Sequence, residues 1–238
     1  EVMVNTLAQA LALSHADIAS GSAGWAARNV IYYKGDGNTE LLTKLADKTT
    51  VVGVGSTDGL GSARIKGVQT IVGTYSGTRF VNMEFIAASD TTVLMTIPTE
   101  CSGIEFYGCK WLPGGASSLI GLRATAVTGL KVIGCEFNGW WNVGFDTTCI
   151  DIPTGVFHGM QINYNLFTNG NGSALVTAAS SCGSGCYFIG NVVDTSAIAI
   201  DDVSDNIRVI DNVFIVAVSE ADNTGTNFNV LKAARNVV

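Results

Sequence analysis

Charged residues are scarce in this sequence. Thirteen Lys plus Arg and 20 Asp plus Glu among 238 residues make 14%, where about a quarter is ordinary. So little charge, in a chain that is 47% hydrophobic, excludes intrinsic disorder and the Glu- and Lys-rich composition of a coiled coil. Proline is reduced to 3 residues; with no G-X-Y period, this excludes a collagen-like triple helix. Cations are too few to line a nucleic acid, and the net charge of −7 with a pI near 4.7 argues against both nucleic acid and anionic membrane surfaces. No apolar run approaches the roughly 20 residues of a membrane-spanning helix. A basic segment followed by an apolar run is missing from the start, so no secretion signal is expected in the sequence as given. The six cysteines have no His or Cys partner at zinc-ligand spacing, and only two histidines, His15 and His158, are present.

What is abundant is glycine, 28 residues, together with a mean hydropathy of +0.33. A soluble surface usually carries about 25–35% charged residues. A chain with half that share either hides much of its surface in an assembly or wears an uncharged coat of Ser, Thr, Asn and Gly.

An internal repeat accounts for much of the composition. TRFVNMEF ends at Phe85, IEFYGCKW at Trp111, LKVIGCEF at Phe137, MQINYNLF at Phe167, CYFIGNVV at Val193 and IRVIDNVF at Phe214, at spacings of 26, 26, 30, 26 and 21 residues. Each reads apolar-x-apolar-x, a turn-like residue, Met, Cys or Asn, one variable residue and a large apolar residue. The alternation has period two and predicts strand. A second strand follows each time, at 91–97, 118–122, 149–152, 173–177 and 197–200. Strand-bearing repeats of this size, joined by Gly, Ser, Thr and Asn corners, predict a parallel solenoid whose rungs stack like on like. Ile104, Leu130 and Met160 then form one internal column, and Phe85, Trp111, Phe137 and Phe167 another.

A corner column runs through Met83, Cys109, Cys135, Asn165, Asn191 and Asn212. Its asparagines are expected to bond the backbone and the next rung's amide as a ladder. Cys109 and Cys135 fall one rung apart, at about the 4.8 Å strand spacing, so stacked thiols and a disulfide both fit. A loop bridge between Cys182 and Cys186 is also open. Glu84, Lys110 and Glu136 take the outward position and predict a salt ladder.

The x-apolar-x-apolar-x-[Gly/Asn/Asp]-Asn-x-Phe rung resembles the right-handed parallel β-helix superfamily of pectate lyases and phage tailspikes. The opening stretch is similar to the pectin methylesterase branch. There a short helix, here Thr6 to Leu11, precedes a strand like Asn29–Gly35, then stretches like Thr50–Gly55 and Ala63–Gly67. The likeness covers about residues 5–215. It implies an all-β, single-stranded right-handed parallel β-helix of about seven to eight rungs behind an N-terminal capping helix. The whole of 1–238 is expected to be one domain: 1–28 the cap, 29–215 the rungs, 216–238 a C-terminal loop and last strand.

Folds of this kind host many chemistries, so function must be argued from the site. The 30-residue rung carries its extra residues around Trp140 and Trp141, a candidate glycan platform, partner-binding surface or plain packing element. Glycoside hydrolysis needs two carboxylates, and the weak catalytic candidates are Asp151, Asp201 and Asp202. Adjacent acids are similar to the polygalacturonase branch. That branch also places a Gly-His-Gly and an Arg-x-Lys downstream, whereas His158 here precedes the acids and Arg64-Ile65-Lys66 lies far upstream. The aromatic Asp-Phe-Ile-Phe-Gly nucleophile strand of the pectin methylesterases has no counterpart. No catalytic residue is therefore assigned, and no metal or cofactor is implied.

These features point to a non-enzymatic structural or decoration component of a virion, a bacteriophage capsid or tail. It would assemble through charge-poor β-helix faces with copies of itself or other virion proteins, in the extracellular particle, without nucleic acid or membrane contacts. The alternative is a secreted or tailspike-like polysaccharide lyase or hydrolase, with Trp140, Trp141, Asp151, Asp201 and Asp202 around a groove. A glycan-binding adhesin for a surface polysaccharide is the third reading.

Overall fold

The computed structural model describes residues 2–21, 28–55, 63–89, 92–114, 120–138, 148–154, 157–170, 172–177, 183–195, 200–202, 207–215 and 221–222. They form an all-β parallel solenoid with one α-helix. Three parallel sheets run along it, and the chain visits them in the order A, B, C. Sheet A has eight strands, from Asn29–Tyr33 and Thr49–Gly53 through Arg79–Val81, Glu105–Tyr107, Lys131–Ile133 and Gln161–Asn163 to Cys186–Ile189 and Ile207–Ile210. Sheet B also has eight, including Arg64–Lys66, Glu84–Ile86, Lys110–Leu112, Glu136–Asn138 and Leu166–Gly170. Sheet C has seven, including Val93–Ile97, Ile120–Ala124, Thr148–Ile152, Ser173–Thr177 and Ile200–Asp202.

Each repeat segment that reads as one strand is two. IEFYGCKW, for example, supplies Glu105–Tyr107 to sheet A and Lys110–Leu112 to sheet B. Between them the chain turns through one left-handed residue: Asn82, Gly108, Gly134, Tyr164, Gly190 or Asp211, with φ of 54°, 56°, 61°, 59°, 65° and 58°. Asn, Asp and above all Gly accept this conformation at least cost, which is why the turn-like residue recurs at that point of the repeat.

The stacked columns expected from the repeat line the interior. Trp111 stacks on Phe137 with centroids 4.6 Å apart and planes 3° from parallel, and Phe137 stacks on Phe167 at 5.1 Å. Phe80 and Phe106 stack at 5.4 Å beneath sheet A. All five rings are fully buried. Parallel in-register stacking leaves each ring the same environment as its neighbour, so one aromatic column supports many rungs.

The N-terminal helix Leu7–Ala19 starts at Thr6, whose Oγ1 accepts from the Gln9 N–H at 3.1 Å. Leu7 and Leu11 are buried in the core, and Ser14 Oγ bonds Thr49 Oγ1 at 2.7 Å. The helix covers the apolar end that a solenoid otherwise exposes. No helix among the described residues is long and apolar enough to cross a bilayer. Of the C-terminal loop and last strand expected over 216–238, all but Ala221–Asp222 lies outside the described residues, and that short strand is the last among them.

Candidate functional site

Asp151 sits on the sheet C strand Thr148–Ile152, in register with Arg123 on one side and Val176 on the other. It is nearly buried, and its Oδ2 accepts from Arg123 Nε at 2.6 Å. Asp201 continues the same register column beyond Val176, so its backbone lies two strand spacings, about 9.6 Å, from that of Asp151. Asp202 falls instead in the column of Ile152 and Thr177. The three acids thus share one sheet, Asp151 and Asp201 in one register column and Asp202 in the adjacent one, and the guanidinium of Arg123 occupies the carboxylate of Asp151. Trp140 and Trp141 lie outside the described residues, in the connection between Glu136–Asn138 and Thr148–Ile152.

The other outward carboxylates show the same neutralisation. Along sheet B the register column runs Arg64, Glu84, Lys110, Glu136. Arg64 Nε holds Glu84 Oε1, and Lys110 Nζ lies 3.1 Å from Glu136 Oε2. The expected acid-base-acid order is present in the register, but the ion pairs are Arg64–Glu84 and Lys110–Glu136, and Glu84 takes its partner from Arg64 and not from Lys110. Glu84 is fully buried, and its Oε2 has no hydrogen-bond partner among the described residues.

Along sheet A, Glu105 sits between Arg79 and Lys131, at 2.6 Å from Arg79 Nη2 and 2.9 Å from Lys131 Nζ. Burial on its own would raise the Glu105 carboxyl, but the hydrogen bonds from Lys131 and Arg79 outweigh it and hold the group below its ordinary value. The Lys131 ammonium is raised, first by its bond to Glu105. Arg79 also lies over the Tyr107 ring at 5.3 Å.

Beside this ladder runs an outward column at a position where the repeat shows no fixed residue type: Tyr32, Val52, Val81, Tyr107, Ile133, Asn163, Ile189 and Ile210. Seven of these eight residues are apolar or aromatic. They alternate with the inward column Val51, Phe80, Phe106, Val132, Ile162 and Phe188 on the same strands, so the period-two rule sends them outward. Tyr32 is 74% exposed, and the other seven residues of the column are half-buried. The signal was available in the sequence. The fourth residue of each repeat segment is Val, Tyr, Ile, Asn, Ile and Ile.

The corner column behaves as a single hydrogen-bonding device. Asn191 Oδ1 accepts from the Asn165 N–H at 2.8 Å, and Asn212 Oδ1 from the Asn191 N–H at 2.8 Å. Each Asn Nδ2 donates back to a sheet A carbonyl, Val132, Ile162 or Phe188. Cys109 and Cys135 are thiols that imitate this pattern. The Cys109 N–H donates to Cys135 Sγ at 3.3 Å, and the two thiols reach the Phe80 and Phe106 carbonyls, each at 3.6 Å. Burial, reinforced by Cys135, pushes the Cys109 thiol well up. The Cys182 side of the other suggested bridge lies outside the described residues.

His158 Nδ1 accepts from the Ser184 N–H at 3.2 Å across neighbouring rungs, and His15 packs edge-on near Tyr75. Among the described residues no three His, Cys, Asp or Glu side chains come together to hold a metal ion. Compared with protein-family models, with curated proteins and with solved structures, the chain matches none.

Proposed function

We propose that the chain is a non-enzymatic structural component of a virion, a bacteriophage capsid or tail, working by packing its outward faces against copies of itself and neighbouring virion proteins. One observation carries this reading. The outward carboxylates Glu84, Glu105, Glu136 and Asp151 are each tied to a cation on an adjacent strand, and an outward apolar column runs beside one of these ladders. A carboxylate held by Arg serves as a general base only by giving up that pair. An outward apolar strip, here broken only at Asn163, is what an interface uses.

The same reading takes 1–238 as one domain, a right-handed β-helix of seven or eight rungs related to the pectate lyase and tailspike superfamily. The two eight-stranded sheets and one seven-stranded sheet support the count. The preference of parallel crossovers for the right hand, about 98%, supports the handedness. The test is incubation with a panel of acidic polysaccharides alongside recovery of the protein from its native particle. No released reducing ends or unsaturated products, with the chain copurifying in many copies, is the expected result. Turnover lost on Asp201→Asn and Asp202→Asn would overturn the reading in favour of a depolymerase.

A further inference from the structure

We propose that the outward face of sheet A pairs with the same face of a second copy of this chain, the two solenoids running antiparallel in a closed dimer. This rests on the assembly reading above and names its partner. From Tyr32 to Ile210 the apolar column spans seven strand spacings, about 34 Å. With the flanking column the face is eight strands long and two residue columns wide.

The Glu105–Lys131 alternation is self-complementary about a two-fold axis, and it sets the register. Place a two-fold axis in the interface, crossing the column between the strands Glu105–Tyr107 and Lys131–Ile133. Every residue then faces its counterpart counted from the other end. Tyr107 meets Ile133, and Glu105 meets Lys131, on both sides of the axis. Arg79 meets the neutral Gln161. Sliding the partner by one strand puts either Glu105 on Glu105 or Lys131 on Lys131, which like-charge repulsion opposes. Glu105 and Lys131 are already fixed in each chain by their 2.9 Å pair, so the interface receives a preorganised alternating square of four charges. This face carries Arg79, Lys131 and Arg208 against the single acid Glu105, an excess of two cations per copy that the crossed Glu105–Lys131 contacts have to offset. An isologous contact of this kind closes on itself and does not propagate.

Sedimentation velocity on the full chain tests the pairing. A dimer is expected at about 100 µM. Ile133→Glu, which buries two unpaired carboxylates per dimer, is expected to weaken it at least about 100-fold while leaving the thermal transition close to wild type. Glu105→Lys and Lys131→Glu are each expected to be monomeric. A mixture of those two variants should recover a heterodimer, since the lysine introduced in one chain then faces the glutamate introduced in the other. Damage to folding cannot produce that rescue. A monomeric wild type overturns the proposal. So does an oligomer that a folded Ile133→Glu leaves intact, although that outcome spares assembly through another face. Turnover of a polysaccharide, by contrast, would sink the structural reading and leave the dimer standing.

Discussion

At the corner between sheets A and B a single backbone conformation decides which residues are tolerated. Five of the six left-handed positions hold Gly, Asn or Asp, which the sequence announces as a turn. Tyr164 does not announce itself, because nothing in a Tyr predicts φ of +59°; the stacked rungs on either side impose it. Its ring lies over the next rung's corner. A Cβ on Gly190 would sit 2.6 Å from the Tyr164 ring, whereas a Cβ on Gly134 would meet nothing within 4 Å. Gly134→Ala is therefore expected to cost about 1 kcal/mol, the left-handed penalty alone. Gly190→Ala should cost roughly 2–3 kcal/mol, since the clash adds to the same penalty. Urea unfolding of both, repeated in a Tyr164→Gly background, checks the account. The two substitutions should become equal there, and a gap that persists would mean the ring is not responsible.

At the scale of the element, the solenoid is held by columns, and the corner ladder is the one with the most to lose. Asn191 satisfies the buried Asn165 N–H and the Ile162 carbonyl and accepts from Asn165 Nδ2 at 3.0 Å. Asn191→Ala orphans several of these groups at once, at about 1–3 kcal/mol for each. A loss of roughly 3–5 kcal/mol is expected. Cys135 already plays the Asn role with weaker sulfur bonds. Cys135→Asn should therefore be neutral or stabilising by up to about 1 kcal/mol, and a large loss in guanidinium unfolding would show that the corner is too tight for an amide there. The ladder was legible because it repeats at one place in the segment. The split of each segment into two strands shows in the sequence only as a slip of phase at the one-residue corner, where the inward positions pass from Phe106 to Cys109. The ion pair of Arg123 with Asp151 was hidden for another reason. It joins residues 28 apart, and a chain whose rungs vary from 21 to 30 residues offers no fixed offset for finding cross-rung partners.

For the whole molecule, the low charge of the sequence takes a definite form. Glu84, Glu105, Glu136 and Asp151 are held in pairs with cations on neighbouring strands, and an outward apolar column runs beside one ladder. The inward columns were legible because apolar residues at period two have a single physical meaning. The outward apolar column was legible too, in the fourth residue of each aligned segment, but only the register shows that it lies beside the ion-pair ladder. The ladders also set how stability responds to pH. The Glu105 carboxyl is held below its ordinary value of 4.5. Below that value the unfolded chain binds a proton that the folded chain refuses, so this stabilisation is complete above about pH 4.5 and is lost as pH falls through the folded value. Lys131 is raised above its ordinary 10.5. Its contribution is complete below that value and is lost as pH rises through the folded one. Thermal unfolding is thus expected to show a plateau across neutral pH with a descending limb on each side. Because the same hydrogen bond ties the two groups, Glu105→Gln should flatten both limbs. Lys131→Met should flatten the alkaline limb but leave part of the acid one, where Arg79 still holds Glu105. If Lys131→Met abolished the acid limb and spared the alkaline limb, the charge would be distributed along sheet A in some other way than these pairs require.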